Sequence, residues 1–218
     1  MKHHISNLAI GAAFAVAGFV GLPAPMAGAV TMPADATYIA DMAAGQAEPV
    51  TLAVTVDNDK VVAYATNGIN EEAWFFGSQS AGKVDMSSMY ADRIQATYDG
   101  RTLQGTLTMN GDTGPHEFSA AAASAPAGIY TAVMDGARAS WVVRPDRTIT
   151  GVMDNSAPGD HKVTDALGAQ QQQYRDQVRQ MRLDQQMQQA PPMQYGTWTT
   201  VIHDVPVTAT PVSGAMRF

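Results

Sequence analysis

The stretch RIQATYDGRTLQGTLTM, residues 93–109, decides the fold class of this chain. Apolar and polar side chains alternate on both sides of its centre, with Ile94 and Ala96 facing one way and Leu103 and Leu107 continuing that face. Such period-two alternation is typical of half-buried β-strands. Asp99-Gly100 lies between the two runs and supplies the residue types that a tight reversal requires. The stretch therefore predicts an antiparallel hairpin.

Similar segments surround this hairpin along the chain. The segment 50–56 alternates in the same way and predicts a half-buried strand, with its valines and Leu52 on one face and Thr51 and Thr55 on the other. Short strands at regular spacing, separated by turn residues, predict an all-β domain of about ten antiparallel strands, arranged as a meander-type sandwich or barrel. The further predicted strands cover 61–66, 74–76, 82–86, 116–122, 128–134, 137–143 and 148–152.

The composition changes abruptly after Asp154. Residues 156–195 predict a linker followed by a Gln-rich helix over 164–189, in which Leu167, Tyr174 and Met181 recur every seven residues. This narrow apolar stripe fits a helix that lies across the β domain or extends into solvent. An oligomerising coiled coil is the alternative, although only about three heptads are present.

The chain divides into five predicted segments. Residues 1–29 are a signal peptide, 30–155 the β domain, 156–195 the linker and helix, 196–212 strands that return to the β domain, and 213–218 a tail.

The predicted signal peptide has the three parts of a secretory leader. Lys2 precedes an apolar run over 8–22, and Ala27-Gly28-Ala29 supplies the small residues of a cleavage site. We expect cleavage after Ala29 and a secreted or envelope-associated protein. The apolar run would form a helix of about 22 Å, short of the roughly 30 Å hydrocarbon core, so an uncleaved membrane anchor is the less favoured alternative.

The amino-acid composition excludes some classes of binding partner. The chain has no cysteine, which excludes disulfides and the cysteine-linked lipid anchor of bacterial lipoproteins. The formal net charge is −7, and removal of Lys2 with the leader makes it −8. An acidic protein of this kind repels nucleic acid and anionic lipid headgroups. We therefore expect an envelope or extracellular partner, no nucleic acid, no membrane span after cleavage, and a monomer.

The sequence singles out no catalytic, cofactor-binding or metal-ligating residue. No nucleophile motif of the G-x-S-x-G type is present, and His116, His161 and His203 show no metal-ligand spacing. Paired carboxylates could come together only in the fold. The acids noted for that role are Asp112, Glu117, Asp135 and Asp146.

Methionine is the one unusual component, with 13 in the full chain. Met86 and Met89 flank two serines, and Met181, Met187 and Met193 follow in the C-terminal part. Clustered thioethers bind Cu(I), but methionine also fills gaps in apolar cores.

Six segments together carry a resemblance to known proteins: Val61–Tyr64, Glu72–Phe75, Ala127–Tyr130, Ser140–Asp146, Thr150–Val152 and Val205–Ala209. They resemble segments of exported β-rich proteins of actinobacteria that have no assigned activity. The resemblance covers about 36–155 and the last strands, and leaves out the Gln-rich segment. It implies an envelope or extracellular setting and transfers no site residue.

Three functions remain open at this point. The favoured hypothesis is a non-catalytic β module that binds a partner protein, a glycan or a lipid. The first alternative is an extracytoplasmic hydrolase or lyase that acts on envelope material. The second is a Cu(I)-binding protein that uses methionine clusters.

Overall fold

The computed structural model describes residues 30–42, 49–156 and 171–218, with the side chains of the helix from Asp176 onward. The predicted signal peptide, its cleavage site and His161 lie outside the described residues. Within them the chain forms fifteen strands and one helix, which confirms the predicted all-β class with a late helix.

Eight strands form a closed antiparallel barrel. Each strand pairs with its neighbour in the chain, and the last strand closes on the first through Tyr38 and Ala122. Between sandwich and barrel, the meander thus takes the barrel form. The strands are β1 (Asp35–Met42), β2 (Val50–Asp57), β3 (Lys60–Thr66), β4 (Glu72–Ser80), β5 (Lys83–Ser87), β6 (Arg93–Tyr98), β7 (Thr102–Thr108) and β8 (His116–Ala123).

Side chains fill the interior of the barrel. Leu52, Phe75, Ile94 and Leu103 are fully buried in one apolar cluster that all eight strands contribute to. Gly105 lets β6 and β7 approach each other, because a Cβ there would lie 2.0 Å from the Gln95 carbonyl oxygen. The barrel therefore has a packed core of the kind that small barrels commonly have.

A second sheet covers one side of the barrel. Its strand order is β12, β11, β10, β9, β15, and all pairs are antiparallel. The strands are β9 (Gly128–Met134), β10 (Ala137–Val143), β11 (Ile149–Asp154), β12 (Met187–Gln189) and β15 (Thr210–Pro211).

The contact between barrel and sheet is apolar. Val62 and Tyr64 on the outer face of the barrel belong to the same buried cluster as Ile129 and Val142 of the second sheet. For this reason β2 is buried on both faces, and Thr51 and Thr55 are only 4% and 8% exposed. This strand differs from the half-buried strand that its alternation predicted, because alternation alone does not show that a second layer covers the polar face.

The helix of the Gln-rich segment ends earlier than predicted, and residues 164–170, where the predicted helix begins, lie outside the described residues. Helix α1 spans Gln171–Leu183, and residues 187–189 form β12, which pairs with β11. The backbone N–H of Asn155 donates to the Gln186 carbonyl at 3.1 Å, so pairing with a sheet edge replaces the last helical turns. Val178 of the helix is fully buried, and Arg182 pairs with Asp92 in the barrel. This agrees with a helix laid across the β domain.

After the helix the chain returns to the second sheet. Strands β13 (Thr199–Ile202) and β14 (Val205–Thr208) form a hairpin, and β15 then pairs with β9. Among the described residues, none lies in a helix of the length and apolarity that crossing a membrane demands.

Candidate functional site

A cavity of about 370 Å³ lies where the barrel, the second sheet and the end of the helical segment meet. Strand β4, the loop after β5, strand β10 and strand β12 all contribute to its walls, and Phe218 lies over part of it. We call this space the aromatic cavity. Its lining consists of Glu72, Trp74, Phe76, Ser87, Ser88, Met89, Tyr90, Arg138, Gln185, Met187 and Phe218.

A buried charged group forms one wall of the aromatic cavity. The Glu72 side chain is 2% exposed, and its Oε1 accepts a hydrogen bond from Arg138 Nη2 at 2.7 Å. The Asp154 carboxylate, 3% exposed, lies 3.9 Å from the same guanidinium nitrogen. Glu72 belongs to the barrel and Arg138 and Asp154 to the second sheet, so these charges meet only because the two layers pack together. Buried charges generally require such partners.

Burial dominates the protonation of Glu72. It raises the pKa of the Glu72 carboxyl above its ordinary value, and the nearby Arg138 guanidinium opposes that shift without cancelling it. Burial also raises the pKa of the Tyr64 phenol, whose hydroxyl donates to the Ser140 carbonyl at 3.4 Å. A carboxyl with a raised pKa beside a cavity is a common property of functional sites.

Two donors at this wall, Trp74 Nε1 and Arg138 Nε, have no hydrogen-bond partner within the described ranges 30–42, 49–156 and 171–218. Glu72 Oε2 has no partner at hydrogen-bond geometry either, although the Tyr64 hydroxyl lies near enough to the Glu72 carboxyl to affect its pKa. Buried polar groups in folded proteins are nearly always paired, because an unpaired one costs about 1–3 kcal/mol. All three atoms are covered in this structure, and Phe218 packs against two of the side chains that carry them, Trp74 and Arg138.

Aromatic rings form the remaining walls. The rings of Trp74 and Phe76 lie parallel within 4°, with centroids 6.0 Å apart. Phe218 packs edge-on against both, at 4.7 Å from Trp74 and 5.6 Å from Phe76. The Arg138 guanidinium lies 5.6 Å from the Trp74 ring and 5.2 Å from the Phe218 ring. Cations favour this position over ring faces.

Helix α1 holds the loop that carries Tyr90. Arg182 is 8% exposed, pairs with the fully buried Asp92, and lies 5.0 Å from the Tyr90 ring. Asp92 also accepts hydrogen bonds from the Ser88 hydroxyl and the Asn110 backbone N–H. The loop at the mouth of the cavity is therefore fixed by a buried network.

The structure brings together two of the residues named from the sequence, His116 and Asp112, which lie 3.2 Å apart. This pair lies away from the aromatic cavity, and so does His203, which contacts Asn155 at 3.2 Å. Asp112, Glu117, Asp135 and Asp146 do not line the cavity either. Over the described ranges there is no group of three or more His, Asp or Glu side chains placed to hold a metal ion.

The methionines fall into different environments. Met86 is buried in the barrel core, whereas Met89 is 43% exposed and lines the aromatic cavity. Met193 is buried in the core of the second sheet, and Met187 lines the cavity. Core packing explains Met86 and Met193.

A larger space of about 740 Å³ lies at one end of the barrel, but it has fewer features of a binding site. Its aromatic residue is Tyr130, whose hydroxyl already donates to the Pro126 carbonyl at 2.9 Å. Of its lining, Asp35 is exposed and Asp57 half-buried. We therefore base the functional argument on the aromatic cavity.

Sequence reasoning missed Glu72 and Arg138 as site residues. Each is a charged residue beside apolar neighbours on a strand, because Glu72 precedes Ala73-Trp74-Phe75 and Arg138 lies between two alanines. That pattern is the one signal that could have marked them. Comparison with protein-family models, with curated proteins and with solved structures finds no match.

Proposed function

We propose that this protein is a secreted or envelope-associated, non-catalytic binding module, and that its ligand enters the aromatic cavity. The observation that carries the proposal is a cavity with aromatic walls and two unpaired buried donors, Trp74 Nε1 and Arg138 Nε, beside the half-exposed Phe218. Ligand sites are typically concave and largely apolar, with a few convergent polar groups that orient the ligand. The aromatic cavity has each of these properties.

The packed barrel favours this site over the barrel interior. Carriers of the lipocalin type hold their ligand inside the barrel. Here Leu52, Phe75 and Leu103 occupy that space. A ligand site at the junction of the two layers is compatible with that core, and the barrel then serves as a rigid support.

The secreted setting rests on the leader pattern of residues 1–29 and on the resemblance to exported actinobacterial proteins. Expression in an actinobacterial host tests it directly. We expect the protein recovered from the culture medium or cell wall to begin at Val30 by mass spectrometry. Recovery of the full-length chain from the membrane fraction would instead support an uncleaved anchor.

Binding is tested with a panel of probes from three chemical classes: methyl glycosides, decanoate and choline. Isothermal titration calorimetry and saturation-transfer NMR measure the affinity of each. We expect at least one class to bind with a dissociation constant below about 1 mM, which corresponds to roughly −4 kcal/mol.

A matched pair of variants locates the binding. Ser87 and Ser119 are both exposed serines on outer faces of the barrel, but only Ser87 lines the cavity. Ser87→Trp should fill the cavity and abolish binding, whereas Ser119→Trp should bind like the unaltered protein. No binding by any class, or equal binding by both variants, would overturn the proposal.

The catalytic alternative has one observation in its favour. Glu72 has a raised pKa, lines the cavity and shares Arg138 with a second carboxylate, Asp154. A general acid in a hydrolase has such a pKa. However, Asp154 does not line the cavity, so a second carboxylate is not available beside a bound ligand. Release of reducing sugar from a cell-wall glycan, lost in Glu72→Gln, would favour this alternative.

A further inference from the structure

We infer that the ligand of the aromatic cavity is a neutral, hydroxylated ring, that is, one sugar unit of a glycan. This inference rests on the proposed function and names the chemical class that the cavity takes. A volume of about 370 Å³ is at the small end of the roughly 300–1,000 Å³ range of ligand pockets, which suits a single ring.

The unpaired donors favour a ligand that carries hydroxyl oxygens. Trp74 Nε1 and Arg138 Nε have no acceptor among the described residues, and Phe218 packs against both side chains. A ligand ring that takes the place of Phe218 uncovers these donors, and its hydroxyl oxygens can accept from both, while a neighbouring hydroxyl can donate to the Glu72 carboxylate. An acyl chain in the same place would leave both donors without an acceptor.

The charges of the site disfavour ionic ligands. Arg138 is already matched by Glu72 and Asp154, so a ligand carboxylate would add a third negative charge beside one cation. A quaternary ammonium in the place of Phe218 would offer no acceptor to Trp74 Nε1 or Arg138 Nε and would lie beside the Arg138 guanidinium, a like charge. A neutral ligand avoids both conflicts.

The aromatic rings of the cavity favour a flat ligand that has C–H groups on its face. Trp74 and Phe76 are parallel within 4°, and the position above them is held by the edge of Phe218. Ring faces are negative and attract the positive edges of C–H bonds. Phe218 is 53% exposed, so it covers this position loosely and a sugar ring can replace it.

The same probe panel tests this inference. We expect the methyl glycosides of glucose, galactose, mannose, arabinose and N-acetylglucosamine to include at least one binder, with decanoate and choline not binding. Trp74→Phe keeps an aromatic ring and removes Nε1, so affinity for that glycoside should fall about three- to tenfold. Glu72→Gln should lower it about tenfold.

Trp198→Phe is the matched control, because Trp198 packs against Tyr130 outside the cavity. It should bind the glycoside like the unaltered protein. Binding of decanoate or choline, with no glycoside bound and with loss in Ser87→Trp, would overturn the sugar inference and leave the proposed function in place. Binding of a glycoside that Ser87→Trp and Trp74→Phe do not change would place the sugar elsewhere and also overturn the inference. No binding at all would overturn both.

Discussion

At the scale of single residues, Glu72, Arg138 and Asp154 are largely buried charges, and removing them from water opposes folding. Removing charges from water costs several kcal/mol per ion, and their attraction repays this only when the geometry is good. The Arg138–Glu72 contact of 2.7 Å is good, but Arg138 Nε has no partner among the described residues, and burial still raises the pKa of Glu72. The buried group gives the cavity polar atoms that can orient a ligand, and it lowers the stability of the folded protein.

Replacing Arg138 should therefore strongly destabilise the protein. Arg138→Met leaves two buried carboxylates without a cation, and we expect the free energy of unfolding to fall by about 3–5 kcal/mol. Urea denaturation followed by circular dichroism measures this. Arg93→Met is the control, because Arg93 pairs with Asp85 at 2.8 Å on the exposed barrel surface, where ion pairs contribute little. An equal loss of unfolding free energy in the two variants would mean that the burial of Arg138 and its two carboxylates does not determine its effect on stability.

The raised pKa of Glu72 gives a pH dependence of defined sign. The folded protein holds the Glu72 proton more tightly than the unfolded chain, so the resulting stability is complete below the ordinary pKa of about 4.5. It is lost as the pH rises through the higher pKa of the folded state. The Glu72→Gln variant has no carboxyl at this position and therefore lacks this pH-dependent stability. The difference in unfolding free energy, unaltered protein minus Glu72→Gln, should decrease as the pH rises from 4.5.

Urea denaturation of both proteins at pH values from 4 to 8 measures that difference. Subtracting the variant removes the contributions of the other acidic residues, which both proteins share. A difference that is constant, or that increases with pH, would mean that the Glu72 pKa is not raised in the folded protein.

At the scale of elements, helix α1 is attached to the barrel chiefly by Arg182 and Val178. Arg182→Ala removes the buried pair with Asp92, and Asp92 keeps its bonds from Ser88 and Asn110. We expect the helix to detach locally, so amide hydrogen exchange over 171–183 should accelerate while the barrel strands stay protected. Gln177→Ala, at an exposed position of the same helix, should leave this exchange unchanged. Equal acceleration in both variants would contradict the assignment of the helix attachment to Arg182.

The segment that ends in Phe218 covers Trp74 and Phe76 in the aromatic cavity. Arg217 anchors the segment, because its guanidinium donates to the Gly77 carbonyl at 3.3 Å and lies 5.5 Å from the Phe76 ring. Phe218→Ala vacates the position over Trp74 and Phe76. Burying half of a phenylalanine is worth about 1 kcal/mol, so affinity for a bound glycoside should rise roughly fivefold. A loss of affinity in calorimetry would mean that Phe218 contacts the ligand instead of covering its place.

Most strands could be predicted from the local sequence, whereas the remaining features depend on contacts between residues that are distant in the sequence. Asp135 and Gly136 both adopt positive φ, 49° and 85°, as a two-residue hairpin turn requires, and they lie between the predicted strands 128–134 and 137–143. Strand β12 was not predictable, because Met187–Gln189 becomes a strand only by pairing with the edge of β11. The aromatic cavity was not predictable either, since Glu72 and Arg138 are 66 residues apart and meet only across the two layers.

At the scale of the whole molecule, the barrel and the second sheet depend on each other. Without the sheet, Val62, Tyr64 and Trp74 would be exposed on the outside of the barrel. Polar contacts join the layers as well, because Arg144 of the second sheet pairs with Asp41 of β1 at 2.9 Å. Neither layer buries its apolar face alone, so the two should unfold together.

Single-tryptophan variants test this coupling. Trp141, with the other two tryptophans replaced by phenylalanine, reports on the second sheet. Tyr98→Trp, with all three natural tryptophans replaced by phenylalanine, reports on the barrel, because Tyr98 of β6 packs against the barrel core and not against the sheet. We expect the two urea transitions to coincide. Ile129→Ala, at the fully buried contact between the layers, should shift both transitions by the same amount, about 2–5 kcal/mol, because a cavity there weakens the packing of both layers. An earlier transition at Trp141, with the Tyr98→Trp transition unmoved by Ile129→Ala, would mean that the barrel is stable alone. The aromatic cavity, which needs Glu72 from one layer and Arg138 from the other, would then form only in the fraction of molecules whose sheet is docked.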